Sequence, residues 1–329
     1  MQHTQVKNNE ILQVKDLRKY FPIKRGFFQR STGWVKAVKN VSFTISTGKT
    51  LGLVGESGCG KTTVARLILK LLQPDGGSII FNGQDITELS DKEMKPLRKE
   101  IQIIFQDPYG SLNPRMTIGQ SISEGLRIAG LRHATELRER LEHLLKIVGM
   151  SPRSIDRYPH EFSGGQRQRI GIARALSVDP SLIICDEPIS ALDVSIQAQI
   201  INLLKDLQDE LGLSYLFISH DLNVVGYLCN YVAVMYKGEI MEYAPADELF
   251  DSPRHPYTHL LLSAVPDPDK NDSAEVQMTG DELQKMINPS EGCNFQDRCP
   301  HQDAECQHGH MNLEMVSIEH FVRCCKVTK

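Results

Sequence analysis

The sequence predicts an α/β fold, in which buried strands alternate with helices. An apolar run at 51–54 reads as a buried strand, and a glycine-rich loop and a helical segment at 63–70 follow it directly. Two further apolar runs, at 182–185 and 214–218, flank an amphipathic segment at 195–211. Strands that alternate with helical patterns in this way are typical of a layered α/β domain.

Composition narrows the class of protein. Of the 329 residues, 40% are hydrophobic and 24% are charged, as in an ordinary globular protein with a sizeable core. The net charge of −4 argues against bulk binding of nucleic acid. Apolar runs stay far below 18 residues, and the start of the chain has no apolar signal core. We therefore expect a cytosolic chain whose membrane role, if it has one, comes through a partner.

Before the glycine-rich loop, the chain predicts two antiparallel strands. Residues 10–21 are rich in apolar and aromatic side chains, and so are residues 35–45. Between them, 22–34 is basic and rich in helix and strand breakers, which predicts a loop. Phe21 or Tyr20 could stack on an adenine ring, but a role in the core fits the pattern about equally well.

The glycine-rich loop carries the clearest chemical signal. Its residues 55–62 fit the pattern G-x-x-x-x-G-K-[ST], between a strand and a helix, as a phosphate-binding loop requires. Glycines let backbone N–H groups turn towards an anion at the positive end of a helix. Lys61 can then reach the β- and γ-phosphates, and the Thr62 hydroxyl can bind Mg²⁺. The chain is predicted to bind a nucleoside triphosphate.

Polar residues follow three later strands at their carboxyl ends, where open α/β sheets bind ligands. Gln106 ends the predicted strand at 101–105, Asp186 and Glu187 end the next, and His220 follows the last. Asp186 is placed to hold Mg²⁺, and Glu187 to orient or deprotonate a water molecule. His220 alone would be interpreted as structural.

Residues 108–160 are predicted to be helical, with an apolar face of leucines, and they interrupt the α/β pattern. After them, Ser163-Gly164-Gly165-Gln166 opens a further helix at 167–176. A serine and two glycines at a helix N-terminus can bind an anion, although an ordinary helix cap looks the same.

The cysteines concentrate at the end of the chain. Eight are present, and five lie in the last 37 residues, after a polar linker. In a reducing cytosol this pattern favours metal ligands over disulfides. The spacing matches neither a paired zinc ribbon nor a ferredoxin motif, so it does not identify the metal.

Taken together, the motifs resemble the ATP-binding cassette (ABC) family over residues 10–265. This resemblance implies a nucleotide-binding domain at 1–265 with a mixed-sheet core, an antiparallel β-subdomain and a helical subdomain at about 108–177. A cysteine-rich extension occupies 266–329. The family elements occur in the expected order: Gly55–Thr62 (Walker A), Gln106 (Q-loop), Ser163–Gln166 (signature), Asp186 and Glu187 (Walker B and base), Ser190–Asp193 (D-loop) and His220 (switch).

The resemblance also implies a mechanism. Two subunits pair head to tail, and each ATP lies between one Walker A loop and the partner's signature. Glu187 acts as the general base, His220 holds the γ-phosphate, and Thr62, Gln106 and Asp186 hold Mg²⁺. The residues implied to contact nucleotide are Phe21, Gly55, Glu56, Ser57, Gly58, Cys59, Gly60, Lys61, Thr62, Thr63, Ser163, Gly164, Gly165, Gln166 and Asp193.

Three segments resemble the ATPases of oligopeptide and dipeptide importers more narrowly, namely 106–115, 158–162 and 255–258. The signature region resembles the second of the two ATPase types in such importers. This implies a peripheral subunit at the cytoplasmic face of the inner membrane. Its partners are two permease subunits, a second ATPase that is identical or different, and a substrate-binding protein. Nickel or another small solute stays open as the cargo.

A non-transport ABC ATPase of DNA repair or translation is the competing class. Repair forms carry a long coiled coil between Walker A and the signature, and translation forms usually carry two cassettes. About one hundred residues fill that gap here, and one cassette is present. Both forms fit poorly.

The tail resembles that of peptide-importer ATPases, which implies a [4Fe–4S] cluster on Cys293, Cys299, Cys306 and Cys324. Cys325 is adjacent and could replace Cys324 as the fourth ligand. Zinc is the alternative, because His301, His308, His310 and His320 lie nearby in the sequence. Thiols without a ligand are the third possibility.

Overall fold

The computed structural model describes residues 9–25, 30–264, 292–307 and 311–327. Two sheets and the helices packed on them make up this part of the chain. The strands are β1 (Glu10–Arg25), β2 (Arg30–Ser46), β3 (Thr50–Val54), β4 (Gly76–Phe81), β5 (Gln84–Asp85), β6 (Ile101–Ile104), β7 (Leu182–Asp186), β8 (Ser214–Ser219), β9 (Tyr231–Tyr236), β10 (Glu239–Pro245), β11 (Glu314–Ser317) and β12 (His320–Val322).

The larger sheet is mixed and has the order β11-β12-β10-β9-β3-β8-β7-β6. Its strands from β9 to β6 are parallel, and β10, β12 and β11 add to it in antiparallel fashion. Strands β3, β7 and β8 are buried along their whole length, as expected for parallel strands covered on both faces. Four neighbouring strands, β3, β8, β7 and β6, therefore end at one common edge.

The smaller sheet is antiparallel and has the order β2-β1-β4-β5. Its apolar face meets the larger sheet in a core that includes Leu12, Val14 and Ile79 from the small sheet and Leu51 and Leu53 from β3. Full burial of one such side chain contributes about 1.5–3 kcal/mol. This packing fixes β3 and the loop that follows it.

The helices lie on both sides of the larger sheet. The second core joins β7 and β8 to α3 (Ile118–Ala129), α4 (Ala134–Ile147) and α5 (Gly164–Leu176), through Ile122, Leu144, Leu145 and Ile170. These three helices occupy the predicted helical subdomain. The helices are α1 (Lys61–Ile68), α2 (Asp91–Glu100), α3 (Ile118–Ala129), α4 (Ala134–Ile147), α5 (Gly164–Leu176), α6 (Val194–Leu211), α7 (Leu222–Leu228), α8 (Ala246–Asp251) and α9 (Pro256–Ser263).

The predicted loop at 22–34 is wrong. Strand β1 continues to Arg25 and β2 begins at Arg30, so most of this segment is paired. Pro22 is tolerated because the pairing of β1 with β4 ends at Arg18, and a proline without an N–H group fits a strand edge.

The C-terminal extension is joined to the main sheet more closely than the sequence indicated. Strand β12 pairs with β10 through Val322 and Phe321, and Phe295 is 1% exposed within the second core. The predicted boundary at 265–266 lies outside the described residues. Across the described ranges, we find no helix with the length and apolar character needed to cross a membrane.

Candidate active site

The loop between β3 and α1 depends on glycine at two positions. Gly55 has a φ of 148° and Gly60 a φ of 114°. A Cβ atom on Gly55 would lie 2.1 Å from the carbonyl oxygen of Met235, and one on Gly60 would lie 2.2 Å from that of Ala37. Neither contact is possible for a larger residue, because the obstacle is backbone. The loop is therefore packed closely between β2 and β9.

Lys61 lies inside this loop. Its side chain is buried, and its ammonium group donates hydrogen bonds to the carbonyl oxygens of Gly55 at 2.6 Å and Glu56 at 3.0 Å. Helix α1 begins at Lys61, and its N-cap, Gly60, provides no side-chain hydrogen bond. The first N–H groups of a helix have no intrahelical partner and attract an anion. A buried cation and a helix N-terminus at one loop fit a polyphosphate.

Two oxygen ligands for a hard cation meet beside the loop. The Thr62 hydroxyl donates to a carboxylate oxygen of Asp186 at 3.1 Å, across the sheet edge. Burial raises the pKa of Asp186, and the hydrogen bond from Thr62 opposes this effect. Mg²⁺ prefers such oxygen ligands and favours the charged carboxylate. The donor set therefore fits Mg²⁺.

Glu187 stands at the centre of a second group at the same edge. One of its carboxylate oxygens accepts a hydrogen bond from the Gln106 amide at 3.0 Å and lies 3.4 Å from Nδ1 of His220. The hydrogen bond between Glu187 and His220 lowers the pKa of Glu187 and raises the pKa of His220. A cavity of about 60 Å³ borders Glu187, Ser190 and His220, which is room for a water molecule. An ionised carboxylate beside such a cavity can accept a proton from water.

The backbone of Glu187 is strained. Its φ is 48°, a left-handed conformation that costs about 1–3 kcal/mol for a residue other than glycine. The N–H group of Glu187 donates to the carbonyl of Ile218 on β8 at 3.0 Å, which holds the turn. This strained turn follows β7 directly, and it is one feature of this site that the sequence pattern did not predict.

The Ser163–Gln166 segment lies at the start of α5, where α5 packs against α6. Ser163 is the N-cap and forms a capping box with Gln166, and both residues are exposed. A Cβ atom on Gly165 would lie 2.4 Å from Ile196, so this glycine permits close packing of α5 on α6. Asp193 at the start of α6 is exposed, and the apolar Val194 beside it is 81% exposed.

Phe21 lies on the strand pair that borders the loop. It is 36% exposed, and the Lys19 ammonium group lies 5.7 Å from its ring centroid. Its ladder partner is Val35, two residues before Ala37, whose carbonyl contacts Gly60. An exposed aromatic ring near the loop is available for stacking on a base.

Five cysteines of the tail border a single cavity of about 140 Å³, together with His255 and Phe295. Burial raises the pKa of Cys293 to about 11. In the described part of the chain, no three His, Cys, Asp or Glu side chains converge closely enough to bind a metal ion. The cysteines around the cavity are Cys293, Cys299, Cys306, Cys324 and Cys325, and the sulfur atoms of Cys306 and Cys325 lie 3.8 Å apart.

Of the four histidines that could bind zinc, only His301 borders the cavity among those in the described residues. His301 borders the cavity, but His320 is fully buried elsewhere, between Glu242 at 2.7 Å and Glu248 at 2.8 Å. His320 is therefore engaged in holding β12 to β10 and α8. His308 and His310 lie outside the described residues.

The model of the "ABC transporter" family matches residues 38–190, and that of the "Oligopeptide/dipeptide transporter, C-terminal region" matches residues 241–306. The oligopeptide transport ATP-binding protein AppF of Bacillus subtilis is 50% identical over 325 residues, 98% of each chain. OppF of Salmonella typhimurium, described in the same words, is 48% identical over 96% of each chain. The chain belongs to the ABC transporter ATPase family.

Solved structures of ABC proteins share the fold. CbiO1 from Clostridium perfringens, part of the ABC transporter complex cbiONQ, is 30% identical with a TM-score of 0.64, over 74% of this chain and 92% of that one. The ATP-binding cassette MJ0796, in a dimeric post-hydrolysis state bound to ADP and Pi, is 29% identical with a TM-score of 0.62. That match covers 71% of this chain and 98% of the other. The predicted ABC fold and the assignment as an ATPase are confirmed.

One contact at the ABC site was missed from the sequence. Arg298 in the tail lies 2.9 Å from the Glu56 carboxylate in the Walker A loop, and the Tyr257 hydroxyl accepts from the Glu56 N–H at 3.1 Å. In the sequence, the motif at 255–258 indicates the subgroup but no contact with the loop. A separation of 242 residues between Glu56 and Arg298 leaves no local pattern that could have revealed their contact.

Proposed function

We propose that this ABC ATPase powers the import of peptides through a membrane transporter. The observation that carries the proposal is the identity of about 50% with AppF over 98% of both chains. The match to the oligopeptide/dipeptide C-terminal region at 241–306 supports it, because that region lies largely beyond the ATP site. Both the cassette and the tail therefore resemble those of peptide transporters.

Each side chain at the sheet edge has a proposed role in hydrolysis. Lys61 and the N-terminus of α1 bind the phosphates, and Thr62, Asp186 and Gln106 hold Mg²⁺. Glu187 takes a proton from the attacking water, and His220 binds the γ-phosphate. The 3.1 Å between Thr62 and Asp186 supports a cation shared by the two, and the 3.0 Å between Gln106 and Glu187 brings these residues to the same point of the sheet edge.

The remaining nucleotide contacts are proposed to be shared between two subunits. Phe21 stacks on the adenine, and the Walker A residues Gly55, Glu56, Ser57, Gly58, Cys59, Gly60 and Thr63 surround the phosphates. The exposed positions of Ser163, Gln166, Asp193 and Val194 support contact with a partner's nucleotide. Gly164 and Gly165 complete that signature. The dimeric MJ0796 structure bound to ADP and Pi provides a precedent for a paired cassette.

The proposed assembly contains this chain, a second ABC ATPase, two permease subunits and a substrate-binding protein. It places the chain peripherally at the cytoplasmic face of the inner membrane. The transporter names of the relatives support a membrane complex. Because each chain supplies half of each ATP site, a monomer should hydrolyse ATP slowly.

We also propose that Cys293, Cys299, Cys306 and Cys324 hold a [4Fe–4S] cluster. Zinc with Zn–S distances of about 2.3 Å would draw its thiolates to within about 3.8 Å of one another. A cluster takes one thiolate on each of four irons, so its ligands surround a wider space. All four cysteines border one cavity, which supports a group bound between them. The sulfur atoms of Cys306 and Cys325 lie 3.8 Å apart, a separation that zinc would also accept, so zinc stays the alternative. When bound, it would cross-link the tail segments 292–307 and 311–327.

A transport assay in proteoliposomes tests the proposed function. The chain is purified with its own permeases and second ATPase, and the complex is reconstituted in proteoliposomes with its binding protein. We expect ATP-dependent uptake of a labelled oligopeptide, and none with Glu187→Gln. Uptake of nickel ions without uptake of peptides would refute the peptide assignment and leave the ATPase assignment intact.

A further inference from the structure

The Walker A loop is tied to the C-terminal tail by an ion pair. Nη1 of Arg298 lies 2.9 Å from Oε1 and 3.0 Å from Oε2 of Glu56. The Glu56 side chain is 1% exposed, and the Arg298 side chain is 23% exposed. The carboxylate is therefore nearly withdrawn from water, and the guanidinium group provides its compensating charge.

Glu56 is held at its backbone as well. Its N–H group donates to the Tyr257 hydroxyl at 3.1 Å, and its carbonyl accepts from the Lys61 ammonium group at 3.0 Å. Glu56 therefore links the tail to the lysine that faces the phosphates. A displacement of Glu56 would move one of the two carbonyl groups that orient Lys61.

Aromatic packing fixes Arg298 in turn. Phe295 is buried, with its ring centroid 5.4 Å from that of Tyr236 and 5.3 Å from that of Tyr257. The Arg298 guanidinium group lies 5.9 Å from the Phe295 centroid and 5.8 Å from the Tyr236 centroid, within the range of cation–π attraction. Phe295 and Arg298 both lie between Cys293 and Cys299 in the sequence. This cysteine-bearing segment therefore places the arginine beside the Walker A loop.

We propose that Arg298 is a positioning residue for the Walker A loop, and that it sets the affinity for ATP through Glu56. This inference rests on the proposed role of the loop in binding the triphosphate. Without Arg298, the buried carboxylate of Glu56 has to turn towards water or take up a proton. Either change alters the loop that presents Lys61. The tail then contributes to nucleotide binding from outside the ATP site.

The test is an equilibrium titration of the full chain with a fluorescent ATP analogue and Mg²⁺. We expect Arg298→Ala to raise the Kd about tenfold, which corresponds to about 1.4 kcal/mol. Arg298→Lys keeps the positive charge and should stay within about threefold of the original Kd. The control is Arg138→Ala, which breaks an exposed pair with Glu142 at 3.2 Å on α4 and should change the Kd less than twofold.

A double-mutant cycle with Glu56→Gln isolates the ion pair. Glu56→Gln alone should raise the Kd several-fold, and Arg298→Ala should add less than twofold in that background. In steady state, Arg298→Ala should raise the KM for ATP while kcat changes less than threefold. General damage to the fold would lower kcat and the unfolding temperature together. Thermal unfolding by circular dichroism provides that check.

The outcomes separate clearly. A folded Arg298→Ala protein with an unchanged Kd overturns the inference, and so does a tenfold effect that persists in the Glu56→Gln background. If Arg298→Ala does not fold, unchanged affinity in Glu56→Gln overturns it instead. Lys61→Ala separates a failure of this inference from a failure of the proposed function. Full ATP affinity in Lys61→Ala would show that the loop does not bind the triphosphate.

Discussion

The ATP site and the cysteine cavity are built in contrasting ways. At the proposed ATP site, side chains from the ends of β6, β7 and β8 and from the start of α1 already contact one another: Thr62 contacts Asp186, and Glu187 contacts both Gln106 and His220. At the cavity, five cysteines surround a shared space, and in the described part of the chain no three potential ligands converge. The sheet core determines the first geometry, whereas the second is a space lined by cysteines, proposed above to hold a cluster.

Energetics explains this difference. Strands β3, β7 and β8 are buried along their whole length, so the strand ends from which the site residues extend are held by the core. The tail has two short strands at the edge of the sheet and a few buried anchors such as Phe295. Its remaining order is expected to come from ligand binding, which couples to folding at metal sites.

The largest effect is expected at Glu187. Glu187→Gln keeps the size of the side chain but removes its ability to accept a proton, so ATP hydrolysis should fall about a thousandfold. ATP binding should persist, because Lys61 and Thr62 are unchanged. Turnover is measured by phosphate release from the assembled transporter, with the exposed Glu210→Gln on α6 as control. Normal turnover would show that Glu187 is not the base.

Lys61 should give the next largest effect. Lys61→Ala removes a buried cation from the loop, and truncation of one partner of a buried charge pair costs about 2–5 kcal/mol. We expect the Kd for ATP to rise about a hundredfold. Equilibrium titration of the folded variant measures this, with Lys49→Ala as a control before β3. An unchanged Kd would exclude this loop as the phosphate site.

Substitution of Cys306 tests the proposed cluster at the cysteine cavity. Cys306→Ser removes one proposed cluster ligand, and we expect anaerobically purified protein to lose most of about four iron and four sulfide per chain. ATP affinity should change far less than in Lys61→Ala. The control Cys229→Ala, at a buried cysteine beside α7, should keep its iron. One zinc without sulfide in the original protein would favour the zinc alternative.

The sequence predicted the ATP site better than the tail, for physical reasons. Walker A and Asp186 follow short apolar runs, and parallel strands bring their carboxyl ends together without further information. The strand pair at 22–34 was missed because its residues are basic and rich in breakers, while its ladder depends on backbone bonds. Arg298 was missed because its contact with Glu56 depends on how β12 and Phe295 dock the tail. Long-range docking leaves no periodic signal.

Phe21 should give the smallest effect of the four. Stacking of a base on an aromatic side chain contributes about 1–3 kcal/mol, and the partial exposure of Phe21 places it at the lower end of that range. Phe21→Ala should therefore raise the Kd for ATP about fivefold. Since every base has a stacking face, the Kd for GTP should rise by a similar factor, whereas Phe21→Trp should retain affinity for both. Titration of the three proteins with both nucleotides measures this. A loss confined to ATP would indicate base-specific hydrogen bonds at this strand, and no loss at all would return Phe21 to a packing role. Either result would limit the preformed part of the site to the phosphate end, where Thr62 contacts Asp186 and Lys61 is held by the carbonyls of Gly55 and Glu56.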